Sequence, residues 1–343
     1  VQSAMLRSRY RKPFVATRSS AFSGSREKLR GELRVNEPMA RHVSWRAGGS
    51  VAQAYLPMDF DDLLGFMRTL RHDEPLMVFG LGSNLLVRDG GYNGTVVFMH
   101  GVRRGLSELR LEPDGTIYAE AGVASPKLAR FAANNQRAEA EFLAGIPGTV
   151  GGALTMNAGC YGGETWNYVE RVLMITRQGE KVIRQREDFT IGYRHVGLNA
   201  ASDEVFAAAW FRFPVGEIET ARQRISELLK RRIAQQPLQY PNAGSVFRNP
   251  AGDHAARLIE AVGLKGAWLD GAQVSEKHAN FIVNPDGKAS ATAIEMLIGR
   301  IVAAVFEKQG VELMREVRIV GEMPRSERGS QALDDRFEVK ASK

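Results

Sequence analysis

Cysteine is nearly absent from this sequence, since Cys160 is the only one among 343 residues. An internal disulfide is therefore impossible, and a cluster of thiolate ligands around a metal within one chain is excluded. The histidines never stand three or four residues apart, the spacing that places two metal ligands on one face of a helix. We therefore predict no metal site.

Long apolar runs are also missing. The longest are short pieces such as Ile301–Phe306, far below the roughly eighteen residues that span a bilayer. We therefore expect no membrane insertion, and we expect a cytoplasmic protein.

Basic residues outnumber acidic ones, but the excess lies in the first 30 residues. Residues 1–30 contain eight Lys or Arg and one Glu, a net of 8 − 1 = +7, which equals the excess of the whole chain, 46 − 39 = +7. The remainder is balanced, so no groove for a nucleic-acid backbone is predicted. The segment is rich in Arg and Ser, as transit peptides are. Because Met5 offers an alternative start, we interpret residues 1–30 as a disordered extension or an over-long gene model.

Three regions follow one another after this tail. The first, 31–104, contains a predicted strand, an amphipathic helix and a second strand in βαβ order. The second, 105–215, contains short strands broken by Gly, Pro and Asn. The third, 216–322, contains two long helices with apolar stripes. With residues 323–343 as a polar, disordered second tail, the pattern predicts an α+β protein.

Local signals place several element boundaries. Thr292 and Glu295 predict a capping box at the start of a helix that ends at Gly310. Pro237 stops the preceding long helix. Gln178–Gly179 predicts the tip of a hairpin.

A first glycine-rich motif, Gly80-Leu81-Gly82-Ser83-Asn84, directly follows a predicted strand. Its backbone N–H groups are able to form an anion-binding nest, and glycine lets the backbone approach a pyrophosphate closely. A plain tight turn explains these five residues equally well. The usual dinucleotide-binding fingerprint needs a third glycine where this sequence has Leu85, so a Rossmann fold is disfavoured.

A second glycine-rich stretch, 145–163, is the longest run of small residues and begins with four glycines and one proline in eight residues. Ordering so much glycine costs conformational entropy. A flexible linker is the alternative, but apolar anchors such as Ile146 and Val150 favour contact with a flat or phosphorylated ligand. Two such segments in different regions indicate an extended cofactor lying across two domains.

The sequence carries a series of motifs in a fixed order. They are Ser44-Trp45-Arg46-Ala47-Gly48-Gly49, Gly80 to Val87, Ala144 to Gly159, Gly192-Tyr193-Arg194, Asn242 to Pro250, Gly263-Leu264-Lys265-Gly266, Gln273 to Asn284 and Glu316-Val317-Arg318. Through this series, over roughly residues 33–322, the chain resembles the UDP-N-acetylenolpyruvoylglucosamine reductase family. Gln236-Pro237-Leu238 looks like the shorter type of the family, which lacks a tyrosine-bearing insertion. A lysine that the longer type places before the serine motif is not evident.

The resemblance implies a two-part FAD-binding fold of the vanillyl-alcohol-oxidase-like (PCMH-type) class plus a C-terminal α/β substrate domain. It implies FAD as the cofactor and NADPH as the reductant. The FAD contacts carry over to both glycine-rich segments, namely to Gly80, Leu81, Gly82, Ser83, Asn84, Leu85, Gly148, Thr149, Gly152, Ala153, Asn157 and Ala158.

The resemblance also assigns the chemistry to Arg194, Ser245 and Glu316. The implied reaction adds a hydride to the enolpyruvyl double bond of a UDP-aminosugar ether. Arg194 suits the carboxylate of that substrate because a guanidinium binds a carboxylate bidentately. Glu316, if protonated, donates a hydrogen bond to the developing anion. Ser245 protonates the carbanion, which is a strong enough base to take a proton from a hydroxyl.

Tyr193, Asn249 and Lys265 carry over as substrate contacts, with Lys265 a natural phosphate partner. Taken singly, each catalytic residue has an ordinary structural explanation: a surface arginine, a serine in a turn, and a strand carboxylate paired with a neighbouring arginine. Jointly, in matching motifs far apart in sequence, they favour catalysis.

Two other functions remain open. An oxidase or dehydrogenase of the same flavin fold would act on an alcohol or sugar with an electron acceptor. A non-catalytic protein that binds a nucleotide sugar or nucleic acid would purify colourless. We favour the reductase, as a monomer.

Overall fold

The computed structural model describes residues 29–101, 105–200 and 203–324, together with the backbone of Phe337–Glu338. The predicted tails, 1–30 and 323–343, therefore lie mostly outside the described residues. Arg30, at the described end of the first tail, is attached to the folded protein, because its backbone N–H donates to Asp62 Oδ1 over 2.7 Å. The folded first region thus begins before residue 31.

The first region is a small mixed sheet with one helix. Its elements are β1 (Glu32–Pro38), β2 (Ser50–Leu56), α1 (Phe60–Met67), β3 (Leu76–Phe79), β4 (Leu85–Val87) and β5 (Tyr92–Phe98). Four strands pair in the order β1-β2-β5-β3, with β1 antiparallel to β2 and the other pairs parallel. Asp59 caps α1 by accepting from the Asp62 N–H over 3.0 Å. The predicted βαβ order is confirmed, and β3 leads the chain directly to Gly80.

The second region is an antiparallel sheet with short helices. Its elements are β6 (Leu109–Leu111), β7 (Ile117–Glu120), α2 (Ser125–Asn134), α3 (Val150–Met156), β8 (Gly159–Cys160), β9 (Gly163–Glu164), β10 (Val169–Thr176), β11 (Lys181–Gln185), β12 (Phe189–Gly192), β13 (His195–Leu198) and β14 (Glu204–Phe211). Five strands pair in the order β11-β10-β14-β7-β6. Strand β10 is covered on both faces, since Val172 and Met174 belong to the apolar cluster of this region, whereas Leu173 and Ile175 pack in the cluster that contains residues of α1. The hairpin tip predicted at Gln178–Gly179 is confirmed, since Gly179 joins β10 to β11 with a φ of 70°.

The third region combines helices with short strands. Its elements are α4 (Ile218–Gln235), α5 (Ala255–Ala261), β15 (Trp268–Leu269), β16 (Ala272–Val274), β17 (Ile282–Val283), α6 (Ala291–Gln309) and β18 (Arg318–Val320). The backbone of β19 (Phe337–Glu338) extends the antiparallel sheet to β17-β16-β15-β19, a pairing that the prediction of a disordered second tail missed. As predicted, α4 ends before Pro237 and α6 ends at Gly310, whose φ is 66°.

The start of α6 differs from the prediction, and the capping box of Thr292 and Glu295 is wrong. Ser290 is the N-cap, and its hydroxyl oxygen accepts a backbone N–H of the first turn over 3.0 Å. Thr292 instead donates to Asp89 of the first region, and Glu295 pairs with Arg88. A distant carboxylate and a distant guanidinium have replaced the local motif.

Helix α4 packs on the second region, although the sequence places it in the third. Its buried residues Ala221 and Ile225 belong to the apolar cluster of the second region, which also contains Phe211 and Phe213. The predicted boundary after residue 215 therefore does not follow the packing. We use "C-terminal domain" below for residues 236–324.

The core of the C-terminal domain extends into the first region. Trp45, Ala47 and Leu86 belong to the same buried cluster as the apolar residues of α5 and α6. Trp45 is fully buried, and its Nε1 donates to the Ile282 carbonyl over 2.7 Å. Strand β18 pairs in parallel with β4. The first region and the C-terminal domain therefore share one core.

Candidate active site

The two glycine-rich segments lie against each other. A Cβ atom on Gly80 would lie 2.5 Å from the Thr149 hydroxyl oxygen, so only glycine allows this approach. A Cβ on Gly148 would lie 3.4 Å from Ser83 Oγ. The fold thus joins the two segments in which the FAD contacts are predicted.

The first segment is held by the surrounding backbone. Gly82 has a left-handed φ of 62°, and its carbonyl accepts from the Ser44 N–H over 3.0 Å. Asn84 Nδ2 donates to the Glu316 carbonyl over 3.2 Å, which ties this segment to a predicted catalytic residue. The other predicted contacts here are partly exposed or begin β4: Gly80, Leu81, Ser83 and Leu85.

The second segment contains α3. Thr149 is its buried N-cap, and Thr149 Oγ1 accepts from the Gly152 N–H over 3.4 Å. Gly152 is exposed, and a Cβ there would meet only Thr149 Oγ1, at 3.8 Å, so a ligand is able to approach this backbone closely. Ala153 is buried and Ala158 is partly exposed. These residues fit a cofactor with flat and phosphorylated parts, such as FAD.

The Asn157 side chain is already occupied by the protein. Asn157 is 1% exposed and closes α3 in a left-handed conformation, with a φ of 41°. Its Nδ2 donates to Glu164 Oε2 over 2.8 Å and to the Gly192 carbonyl over 3.2 Å, while its Oδ1 accepts from the Trp166 N–H over 3.1 Å. The side chain therefore anchors the β12–β13 hairpin, a structural role that the predicted FAD contact did not include.

Arg194 lies at the tip of that hairpin, where its φ is 54°, an uncommon conformation for a residue other than glycine. Its Nε donates to Glu316 Oε1 over 2.8 Å. Its Nη2 donates to the Gly159 carbonyl over 2.6 Å. The side chains of Arg194 and Glu316 are only 16% and 17% exposed. The fold thus joins two of the three predicted catalytic residues in one ion pair.

The environment of Glu316 shifts the pKa of its carboxyl group upward. Burial raises the pKa of Glu316 above its ordinary value, and the positive charges of Arg194 and Arg248 lower the pKa by less. Drawing Arg194 away would therefore raise the pKa of Glu316 further.

Ser245 is connected to this pair through a backbone hydrogen bond of its neighbour in the chain. The residue after it, Val246, is fully buried, and the Val246 carbonyl accepts from the Glu316 N–H over 2.8 Å. Gly244, before it, has a φ of 76°. Ser245 is partly exposed. The backbone thus brings the third predicted catalytic residue beside Glu316.

The predicted substrate contacts lie at different places around this centre. Tyr193 is 48% exposed, and its ring centroid is 5.0 Å from the Arg194 guanidinium carbon. Asn249 Oδ1 accepts a backbone N–H at the start of α5 over 3.1 Å. Lys265 pairs with Glu260 at 3.0 Å. Tyr193 is thus at the site, whereas Asn249 and Lys265 bond within the C-terminal domain.

Arg248 is a charged residue of the site that the sequence analysis did not predict. Its Nη2 donates to the Arg194 carbonyl over 3.1 Å. Its Nε is buried and has no hydrogen-bond partner in the part of the chain that the structure describes. The available signal was an arginine three residues after Ser245, inside the same motif.

Known proteins resemble this chain along most of its length. The family model "UDP-N-acetylenolpyruvoylglucosamine reductase, C-terminal domain" matches residues 236–320, and "FAD binding domain" matches residues 52–183. The UDP-N-acetylenolpyruvoylglucosamine reductase of Thiobacillus denitrificans is 54% identical over 312 residues, which cover 87% of this chain and 95% of the relative. The reductase of the same name from Nitrosomonas eutropha is 53% identical over 300 residues, which cover 86% and 90%.

The chain belongs to the UDP-N-acetylenolpyruvoylglucosamine reductase family. A crystal structure of this reductase from Thermus caldophilus matches with a TM-score of 0.70 at 29% identity, covering 86% of this chain and 99% of that one. The predicted family, the α+β fold with its FAD-binding unit, the FAD cofactor and the oxidoreductase class are thereby confirmed. The C-terminal model begins at residue 236, directly after α4.

Membrane-spanning helices and metal-binding groups are two features that the sequence is expected to lack. Among them, no helix has the length and apolar character to cross a bilayer. The same residues contain no group of three or more His, Cys, Asp or Glu side chains placed to hold a metal ion.

Proposed function

We propose that Arg194, Glu316 and Ser245 carry the reduction of UDP-N-acetylglucosamine enolpyruvate to UDP-N-acetylmuramate, a step of peptidoglycan precursor synthesis. The observation that supports this assignment most is the Arg194–Glu316 ion pair, which joins the second region to the C-terminal domain beside Ser245. FAD, when bound, supplies the hydride, which it takes from NADPH.

Arg194 binds the substrate carboxylate. Its guanidinium is held by the Gly159 carbonyl through Nη2, so it is positioned before the substrate arrives. A second carboxylate at this guanidinium competes with Glu316 for its donors. As Glu316 loses part of its counter-charge, burial favours its protonated form, and it becomes a hydrogen-bond donor to the anion that develops on the substrate.

Ser245 supplies the proton that completes the addition across the double bond. The carbon next to the carboxylate gains electron density when hydride adds to its neighbour, and the Ser245 O–H transfers a proton to it. The O–H bond breaks and a C–H bond forms, leaving an alkoxide that water reprotonates. A neutral donor suits this position because it adds no charge beside Arg194 and Glu316.

Tyr193, Asn249 and Lys265 are proposed as substrate contacts. Tyr193 is half exposed at the hairpin tip, as a residue that meets a ligand would be. Lys265 is 40% exposed and forms its ion pair with an exposed carboxylate, so a phosphate is able to exchange for Glu260. A monomer in the cytoplasm is the state that we propose for the enzyme.

Anaerobic stopped-flow with Ser245→Ala tests this function. We expect NADPH to reduce the flavin at the wild-type rate, because Ser245 takes no part in that step. Reoxidation by the enolpyruvyl substrate should slow by about 100-fold or more, as for the loss of a general acid. Ser226→Ala, an exposed serine on α4, is the matched control and should change neither rate.

Equal reoxidation rates in wild type and Ser245→Ala would remove Ser245 as the proton donor. A wild-type enzyme that reduces an added electron acceptor at the expense of an alcohol, and does not oxidise NADPH with the enolpyruvyl compound, would instead be an oxidase or dehydrogenase of the same fold.

A further inference from the structure

Arg248 has a donor that the protein leaves unused. Its Nη2 bonds to the Arg194 carbonyl, but its buried Nε–H meets no acceptor among the described residues. Leaving a charged donor desolvated and unpaired is costly, so such a group gains more from an incoming acceptor than an exposed one does.

The charges around Arg248 are unbalanced. Glu316 is 17% exposed and forms its ion pair with Arg194. Among the described residues, Arg248 forms no ion pair, yet its charge acts on Glu316. Two guanidinium groups beside one carboxylate give the cluster an excess of +2 − 1 = +1, which favours an anionic ligand.

A hydrogen bond links Arg248 to the backbone of Arg194. Arg248 holds the carbonyl of Arg194, a residue in an uncommon left-handed conformation, at the tip of the hairpin. Arg248 therefore holds the backbone from which the Arg194 side chain extends.

We infer that Arg248 and Arg194 together form a receptor for the carboxylate of the substrate, with Arg194 releasing Glu316 to it and Arg248 offering its buried Nε–H. This inference rests on the proposed function for the identity of the substrate. Arg248 thereby distinguishes the enolpyruvyl ether from a UDP-sugar that lacks the carboxylate.

Calorimetric titration of the FAD-loaded enzyme with two ligands tests the inference. UDP-N-acetylglucosamine enolpyruvate carries the carboxylate, and UDP-N-acetylglucosamine carries the same diphosphate and sugar without it. In Arg248→Ala we expect Kd for the first ligand to rise roughly 10- to 100-fold, the range for a hydrogen bond to a charged group, and Kd for the second to change less than about twofold. Arg257→Ala, an exposed arginine of α5, is the control and should change neither value.

Two results would overturn the inference. Equal losses for both ligands would place Arg248 on the diphosphate, or show that its loss disturbs the whole site. Unchanged affinity for both would leave Arg248 with no ligand contact. The FAD content of Arg248→Ala should stay at the wild-type value, which shows that the variant is folded. If that variant does not fold, Arg248→Gln is titrated in its place, with the same discrimination expected to be lost.

The two binding measurements test this inference independently of the proposed function. If the wild-type enzyme fails to turn over the enolpyruvyl compound, the proposed function fails. The inference about Arg248 still stands in that case if the wild type prefers the carboxylate-bearing ligand and the variant does not.

Discussion

The C-terminal domain contacts its two neighbours in different ways. Its contact with the first region is a shared core, in which Trp45 is fully buried. Its contact with the second region is polar: Arg194 with Glu316, Arg248 with the Arg194 carbonyl, and Lys277 Nζ with the Ile233 carbonyl over 2.6 Å. Among the described residues, its buried apolar cluster includes residues of the first region and none of the second.

The difference separates stability from chemistry. Apolar packing resists exchange with a ligand, because each buried side chain loses its contacts when it moves. An ion pair at a domain edge is able to exchange partners, since a substrate carboxylate offers Arg194 the same chemistry as Glu316. The first contact fixes the position of the C-terminal domain, and the second contains the groups that we propose as catalytic.

The largest effect is expected from the shared core. Trp45→Ala should lower the free energy of unfolding by about 3–5 kcal/mol, because it removes a fully buried side chain whose Nε1 bonds across the two parts. Trp45→Phe keeps most of the volume and should cost less. Urea unfolding measures both, and a loss no larger for Ala than for Phe would show that the core tolerates a cavity there.

Glu316→Gln should separate the two contacts most clearly. We expect turnover with the enolpyruvyl substrate to fall by about 100-fold, with a change in unfolding free energy below about 1 kcal/mol, because glutamine still accepts from Arg194. Glu295→Gln is the matched control. Glu295 is 16% exposed and pairs with Arg88 of the first region at 2.7 Å, so it lies in the contact between the C-terminal domain and the first region. It should leave turnover unchanged, and equal losses of turnover in both variants would contradict the comparison.

A smaller effect on stability is expected at Asp89. Its carboxylate accepts from the Ala291 N–H over 3.2 Å and the Thr292 N–H over 2.8 Å at the start of α6. Asp89→Ala should lower the unfolding free energy by about 1–2 kcal/mol, as for the loss of a helix cap, with turnover of the folded enzyme preserved. Asp89→Asn keeps one acceptor and should lose less. Unchanged stability in Asp89→Ala would mean that Ser290 alone is a sufficient cap.

The smallest effect is a pH dependence from Glu316. Burial raises the pKa of Glu316 above the ordinary value of 4.5, so above that pH the native protein holds its proton more firmly than the unfolded chain does. Stability therefore falls as pH rises from about 4.5 through the folded pKa. The unfolding free energy of Glu316→Gln, measured relative to wild type across this range, should increase with pH.

The control is Glu120→Gln. It should show the same trend in unfolding free energy, since burial also raises the pKa of Glu120, but without loss of turnover. A flat difference for Glu316→Gln would contradict the stated cause of the shift.

The sequence predicted best those features that depend on neighbours in the chain. The hairpin tip at Gly179 and the helix end at Gly310 both follow from the left-handed conformation that glycine adopts readily. Predictions failed where a distant group competes with a local one. Asp89 displaced the capping box of α6, and the apolar stripe of α4 packed on the second region. Periodicity shows that a face is buried, but it does not show against what.

The sequence by itself determined the family and the two glycine-rich segments and predicted three catalytic residues, because motifs and glycine positions are written in chain order. Only the tertiary structure decided that Arg194 meets Glu316, 122 residues away, and that Arg248 joins them. The physical reason is that a contact between distant residues depends on how whole elements pack, which no local pattern of residues encodes.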